Sequence, residues 1–429
     1  MEPNPVPLDP LPAVQPSAEY LVREKRLDDA KNLRKPDRIP VVPLVNYYPN
    51  VIRGVSNRDM HYDLALRARL QRDCIVEHGW DAATPFGNLL DARALELVGA
   101  TQYRWPGGGL PNHVPFQFIE GEYMLQEEYD EMLANPAAFA VKKVWPRVAT
   151  ALAPASALAQ APLPPILYFS NSDSLPILLA DVLSDPRLVE MLEKVLAVAK
   201  QVATGREQAA TYTRELTELG YPLLFDAMTM TAFDCISDLL RGLRGSLLDM
   251  YQLPEKLLAA IDMFTPWTIE QGIRGARMSG NKAVFIPLHR GAAGFMSNEQ
   301  FGRFYWPSLK ALLIGLFEAE LTPIPFFEGD YTPRLEFLQQ LPPKMVVAHF
   351  DRIDRRRAKQ MLGNVMCFWG NVPSSLLCAG TVEEVKNDVR ELVEIFGDSG
   401  GLIIDGSVGV PDESKKANVL ALSEVVCDL

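Results

Sequence analysis

The sequence predicts an α/β chain folded as a (β/α)8 TIM barrel, with an N-terminal extension and an insertion over the barrel mouth. Two observations carry this expectation. Short apolar, strand-like runs recur at 39–45, 82–86, 166–169, 223–227, 283–288, 322–327, 345–348, 365–369 and 402–404. Helix-length segments lie between most of them, at 184–212, 254–278, 298–318 and 382–396. Runs that are apolar throughout suit strands covered on both faces, as in a parallel sheet. Alternation of strand and helix gives that sheet its crossovers. About eight such units favour a closed barrel over an open doubly wound sheet. No G-x-G-x-x-G follows the first run, which argues against a dinucleotide-binding fold.

The remaining segments follow in order. Residues 1–18 hold six prolines and few large apolar groups, the composition of a flexible arm. Residues 19–429 read as one domain. From Tyr20 to about Arg34, charged residues around Leu21, Leu27 and Ala30 predict an amphipathic helix. Residues 88–160 are irregular and rich in Gly, Pro and Ala, including Trp105-Pro106-Gly107-Gly108-Gly109. They read as the insertion capping the mouth.

Totals narrow the function. The chain has 429 residues, 48% of them hydrophobic, and a net charge of −12, with an isoelectric point near 5.1. Nucleic acid and anionic membrane are poor partners for such a surface. No apolar stretch approaches the roughly 20 residues of a spanning helix, and the N-terminus lacks a signal-peptide pattern. The five cysteines form no C-x-x-C pair, which fits a reducing, cytoplasmic setting.

Polar residues collect where the strands end, which is where barrels carry their chemistry. Asn46-Tyr47, Asn171, Asp226, His289-Arg290, Glu328, His349, Asp405 and Ser407 each follow a run. Asp173, Asp330 and Ser407 fit helix N-caps equally well. Glu328 and His349 stand out, because a carboxylate and an imidazole on neighbouring strand ends suit metal binding or proton transfer. Catalytic zinc takes three protein ligands and keeps one position open. Cys367, Asp351 and Asp405 are candidates for the third. Cys367 sits within an apolar run and reads equally as a core thiol. Arg290 suits a carboxylate or phenolate. Tyr47 and Trp369 suit a ring, or plain core packing.

Several short motifs, in order, carry a resemblance. Lys35-Pro36-Asp37-Arg38-Ile39-Pro40 precedes the first strand. Leu240-Arg241-Gly242-Leu243-Arg244-Gly245, Phe304-Tyr305-Trp306-Pro307 and Gly370-Asn371-Val372-Pro373 follow, then Gly400-Gly401-Leu402-Ile403, Val410-Pro411 and Asn418. From about residue 20 to 425 the chain resembles the uroporphyrinogen decarboxylase superfamily. The resemblance implies the barrel with its site at the C-terminal mouth, and two chemistries: decarboxylation of porphyrinogens, or methyl transfer to or from a corrinoid with zinc as Lewis acid. The decarboxylases' Arg-containing early loop is missing; the first strand runs into Val45-Asn46-Tyr47-Tyr48-Pro49-Asn50. The thiolate set of the coenzyme M methyltransferases is also missing, with Phe326-Phe327-Glu328 and Gly406-Ser407 in its places. What remains is similar to the O-demethylase methyltransferases, whose zinc motif spaces a Glu and a His as Glu328 and His349 are spaced. That motif's earlier Glu falls at Leu313 here.

The resemblance therefore implies a methyltransferase moving a methyl group between a small, methoxylated aromatic and a cobalamin, with zinc on Glu328 and His349; of the third-ligand candidates, Cys367 completes the metal set expected here. Glu328, His349, His289 and Asp226 are the catalytic candidates. Asn46, Tyr47, Asn171, Arg290, Trp369 and Asp405 would shape the pocket. Asp59-Met60-His61 lacks the following glycine of a corrinoid-anchoring motif, with Leu64 in its place, so the corrinoid should arrive on a separate protein. A homodimer is compatible with the sequence. Decarboxylation of an aromatic or tetrapyrrole carboxylate is the alternative, and a non-catalytic docking barrel the third reading.

Overall fold

The computed structural model describes residues 15–85, 91–156, 184–397 and 400–427, with 172, 176 and 180 as isolated positions. Two sheets organise it. A small sheet in the insertion joins β1 (Tyr103–Pro106), β2 (Gly109–Leu110) and β3 (Gln117–Phe118) in the order β2-β1-β3. The main sheet runs β4 (Ala227–Met228), β5 (Ala283–Leu288), β6 (Thr322–Asp330), β7 (Val347–Arg352), β8 (Cys367–Trp369) and β9 (Leu402–Ile403), each parallel to the next.

Single contacts extend this sheet around the barrel. Val41 bridges Ile404, and Ala83 bridges Leu223, both parallel. The Asp81 N–H donates to the Val41 carbonyl at 2.9 Å, linking the first two segments. The first two predicted strands are thus present as bridges rather than ladders. Ala83 reaches Leu223 directly; the run expected at 166–169 and Asn171 lie outside the described residues, as does Phe86.

Side-chain alternation sorts the strands' residues into an inner and an outer set. Ile324, Val347, Cys367, Trp369 and Ile403 point inward and pack with Val42, Ala82 and Phe225. Val284, Ile286, Phe327, Ala348 and Phe368 point outward into the larger core beneath the helices. The helix Ala18–Lys31, N-capped by Ser17, closes the N-terminal end by placing Leu27 and Ala30 in the inner cluster. Gly401 adopts φ +81°, and a Cβ there would lie 2.6 Å from Leu33 Cδ2, so only glycine lets the chain pass this floor.

The insertion lies over the other end. The Met124 N–H donates to the Leu240 carbonyl at 2.8 Å, Arg241 donates back to the Met124 carbonyl at 2.6 Å, and the Phe116 N–H donates to the Tyr47 hydroxyl at 3.0 Å. Arg241 is itself fixed by an ion pair with buried Asp249 at 2.7 Å. Among the described residues no helix is long and apolar enough to cross a membrane.

Strand boundaries differ from expectation at the two residues of most interest. Glu328 and His349 lie within β6 and β7 rather than after them. The ladder continues, pairing Phe326 with His349 and Asp330 with Arg352 around an irregularity. Polar side chains do not interrupt a ladder held by backbone groups.

Candidate active site

Register sets the layers of the barrel interior. Pro287 pairs with Phe326, Phe326 with His349, and His349 with Trp369. His289 and Glu328 each lie two residues further along their strands, hence on the same inward face and one layer nearer the mouth. The sequence candidates therefore divide between two levels.

At the mouth, His289 Nε2 faces Glu328 Oε1 at 3.7 Å. The other ring nitrogen, Nδ1, meets Asp238 Oδ2 at 2.5 Å. Arg290 pairs with the second Asp238 oxygen at 2.9 Å and with Glu120 of the insertion at 3.7 Å, and its Nε donates to Ser237 Oγ at 3.0 Å. Beneath them, fully buried Asp234 accepts the backbone N–H groups of His289 and Arg290 at 3.3 and 3.1 Å. It also accepts the hydroxyls of Tyr305 at 2.5 Å and Thr231 at 2.9 Å. Gly291 lets the loop continue close past Tyr331 and Tyr305, where a Cβ would collide with both rings.

These contacts set the protonation states. Burial pushes the Glu328 carboxyl up to about 7; the His289 cation opposes this, while Asp234, Asp238 and Asp351 reinforce it. Burial works against a charged His289, but the Asp238 hydrogen bond, then Glu328 and Asp234, outweigh it and raise the imidazole to about 9. Burial alone lifts Asp226 to about 6. The pair Glu328–His289 thus holds a transferable proton near neutrality, the condition for general acid work.

One layer down, His349 is fully buried. Its Nε2 bonds Asp405 Oδ2 at 2.9 Å. Its ring stands edge-on between Phe326 at 4.5 Å and Trp369 at 4.4 Å. Trp369 is also fully buried and donates to the Val42 carbonyl at 3.0 Å. Asp405 accepts the backbone N–H groups of Leu44 and Gly406 as well. Cys367 pairs with Val347, a further layer towards the floor, and burial pushes its thiol up to about 12. Tyr47 is buried, bonded to His61 at 2.6 Å, whereas Asn46 is exposed.

The donor set was expected to suit zinc through Glu328, His349 and Cys367. The structure places these on three different levels, with His349 bonded to Asp405 and Glu328 facing His289 instead. Among the described residues no three His, Cys, Asp or Glu side chains come together as a metal ion would require. A thiol raised to about 12 is also a poor source of thiolate. These residues do not fit the three-ligand zinc site.

Asp234 and Asp238 are members of this cluster that sequence reasoning missed. Thr231-Ala232-Phe233-Asp234 reads as a helix N-terminal cap, and the Thr231 hydroxyl does accept the Asp234 N–H. The usable signal was the spacing of four, which puts both carboxylates on one helical face.

The model of the family described as uroporphyrinogen decarboxylase (URO-D) matches residues 172–429, more than half of the chain. The chain belongs to the uroporphyrinogen decarboxylase family. No curated protein matches this family member. Among solved structures, a methyltransferase from Methanosarcina mazei superposes with a TM-score of 0.61 at 14% identity, covering 95% of this chain and 98% of that one. At that identity the likeness concerns the fold: this family member shares its barrel with a methyltransferase.

Proposed function

We propose that this barrel is a corrinoid-dependent methyltransferase taking a methyl group from a small methoxylated aromatic, the corrinoid being carried by a separate protein that docks over the mouth. The observation that carries the reading is Glu328 facing His289 at 3.7 Å in the mouth of the barrel, where burial raises its carboxyl above the usual carboxylate range. An aryl methyl ether needs help at its oxygen, because an aryloxide leaves poorly. A proton donor placed there offsets the developing negative charge.

The reduced corrinoid, when docked, supplies the nucleophile for the methyl carbon. The chain's own residues do the rest. Glu328 gives its proton to the ether oxygen as the carbon–oxygen bond breaks and the electron pair stays on oxygen. His289, with Asp238 behind it, stabilises the carboxylate left behind. The insertion, which brings Tyr103, Phe118 and Glu120 over the mouth, limits access of water. Tyr103 and Phe118 stand edge-to-face at 5.3 Å, a wall against which an aromatic ring can lie.

Decarboxylation is the weaker reading. It assigns Arg290 to a substrate carboxylate, and that guanidinium already faces Asp238 and Glu120. The test is anaerobic incubation of the chain with cob(I)alamin or a reduced corrinoid protein and a panel of methoxylated aromatics. Loss of the cob(I)alamin absorbance with one phenol formed per methyl transferred supports the reading. Carbon dioxide release from carboxylated aromatics, without methyl transfer, overturns it.

A further inference from the structure

The helix Pro186–Glu218 is 33 residues long and keeps one side open to solvent. Its inner side holds Leu188, Met191, Tyr212 and Leu216, all buried. Aliphatic side chains return on the outer side. Leu196 is 63% exposed, and Val189, Leu192, Val195 and Val202 are 39–42% exposed. Single exposed aliphatics are ordinary on a surface, but a contiguous row marks a contact site. Val189, Leu192, Leu196, Ala199 and Ala203 follow one another at spacings of 3, 4, 3 and 4 residues, the a and d positions of a heptad seam. Such a seam is filled when a second helix places its own side chains in the holes.

We infer that two copies of this chain pair through this helix face, antiparallel, as a two-fold symmetric dimer. The residues flanking the seam give the direction. In an antiparallel register that sets Leu196 on the partner's Ala199, Leu192 falls on the partner's Ala203, a large side chain against a small one in each layer. One flank then brings Val195 onto the partner's Val202. The other brings exposed Glu193 onto the partner's exposed Lys200, opposite in charge. Lys194 pairs with Glu190 inside its own helix at 2.8 Å, whereas among the described residues Glu193 and Lys200 have no such partner. Each contact occurs twice, because the two-fold axis exchanges the helices. A parallel pair would instead stack Ala199 on Ala199, leaving a gap, and would set Lys200 against Val195. The helix ends at the floor of the barrel, where the Gly220 carbonyl accepts from Arg23 of the N-terminal helix at 2.8 Å, so its first turns lie towards the mouth. Antiparallel pairing therefore turns the two mouths in opposite directions and leaves both open. A seam of about 20 Å is short for a permanent interface, so the dimer forms and dissociates with concentration.

Sedimentation velocity of the full chain, from about 1 to 100 µM and at low salt, where charges at the rim act most strongly, tests the pairing. A species of twice 47.7 kDa that grows with concentration is expected. L196E should weaken the dimer at least about tenfold, with the thermal unfolding midpoint held at the wild-type value because the side chain is exposed. E193K and K200E should each weaken it by about tenfold, since like charges then meet twice in every dimer. The double variant E193K/K200E should restore the wild-type dimer, which only the antiparallel register explains. A wild type that stays monomeric over the whole range, or a dimer that L196E leaves intact, overturns the pairing. A double variant as weak as the single ones overturns the antiparallel register. The pairing is independent of the reaction proposed above, so the outcome stands whether or not methyl transfer is found.

Discussion

His349 gives the sharpest prediction, because the structure makes it a load of the barrel core where the sequence suggested a metal ligand. Replace it with alanine. Two losses follow. The ring leaves a hole between Phe326 and Trp369, whose centroids it meets at 4.5 and 4.4 Å. Asp405, fully buried, loses its imidazole partner and keeps only the backbone donors of Leu44 and Gly406. Breaking one side of a buried ionisable pair costs about 3–5 kcal/mol, and the cavity places H349A towards the upper end of that range. The cost should depend on pH. Burial raises the folded-state pKa of Asp405 above 3.8, and the His349 hydrogen bond limits the rise. A carboxyl raised in the folded state opposes folding once it ionises, so its penalty is absent below the unfolded pKa and grows as pH increases towards the folded one. Removing His349 raises that folded pKa further. The destabilisation should therefore be smaller near pH 4 than at pH 7. Urea unfolding of wild type, H349A, D405N and the double variant at both pH values measures it, with a coupling of roughly 1–3 kcal/mol expected between the two sites. A total cost under about 1 kcal/mol, or a cost that does not grow with pH, would refute the argument.

Other predictions concern the mouth. In E328Q the methyl-transfer kcat should drop on the order of 10²-fold with KM little changed, and the wild-type rate should decline as pH rises through about 7, because the protonated carboxyl is the working form; a flat pH–rate profile counts against it. Zinc added to chelator-treated protein should leave the thermal unfolding midpoint unmoved, since no three donors converge among the described residues; a midpoint that climbs with zinc, and stops climbing in E328Q, would reverse that conclusion. D234A removes the acceptor of two backbone N–H groups and two hydroxyls and should destabilise by about 2–4 kcal/mol. Hydrogen exchange at the His289 and Arg290 amides should speed up in the same variant, which a remote effect on folding alone would not confine to that loop.

Much of the architecture was legible in the sequence. The predicted runs at 283–288 and 382–396 match the strand Ala283–Leu288 and the helix Val382–Phe396 end for end. Periodicity reports how a segment will be buried, so long, consistently apolar segments announce themselves. The first two strands were less well described, because they join the barrel by single bridges at Val41 and Ala83 and no local pattern distinguishes a bridge from a ladder. The site was read only in part. His289 and Glu328 do meet, having been named from their place at strand ends, and Arg290 joins His289 through Asp238. His349 and Trp369 proved to form a buried layer below them, with buried Asp405 bonded to His349, since a strand end marks a position along the barrel and not its depth.

By itself, then, the sequence determined the alternation of strand and helix, the position of the polar residues along the strands, and the order of motifs that places the chain in its family. These follow from local rules of burial and backbone geometry. Only the tertiary structure decided the partners. His289 takes Asp238 from 51 residues away and His349 takes Asp405 from 56 away. Such pairings depend on strand register and on how far a helical turn swings a carboxylate. Each of these is fixed by the assembly of the whole parallel sheet with its helices, so no short stretch of sequence contains it.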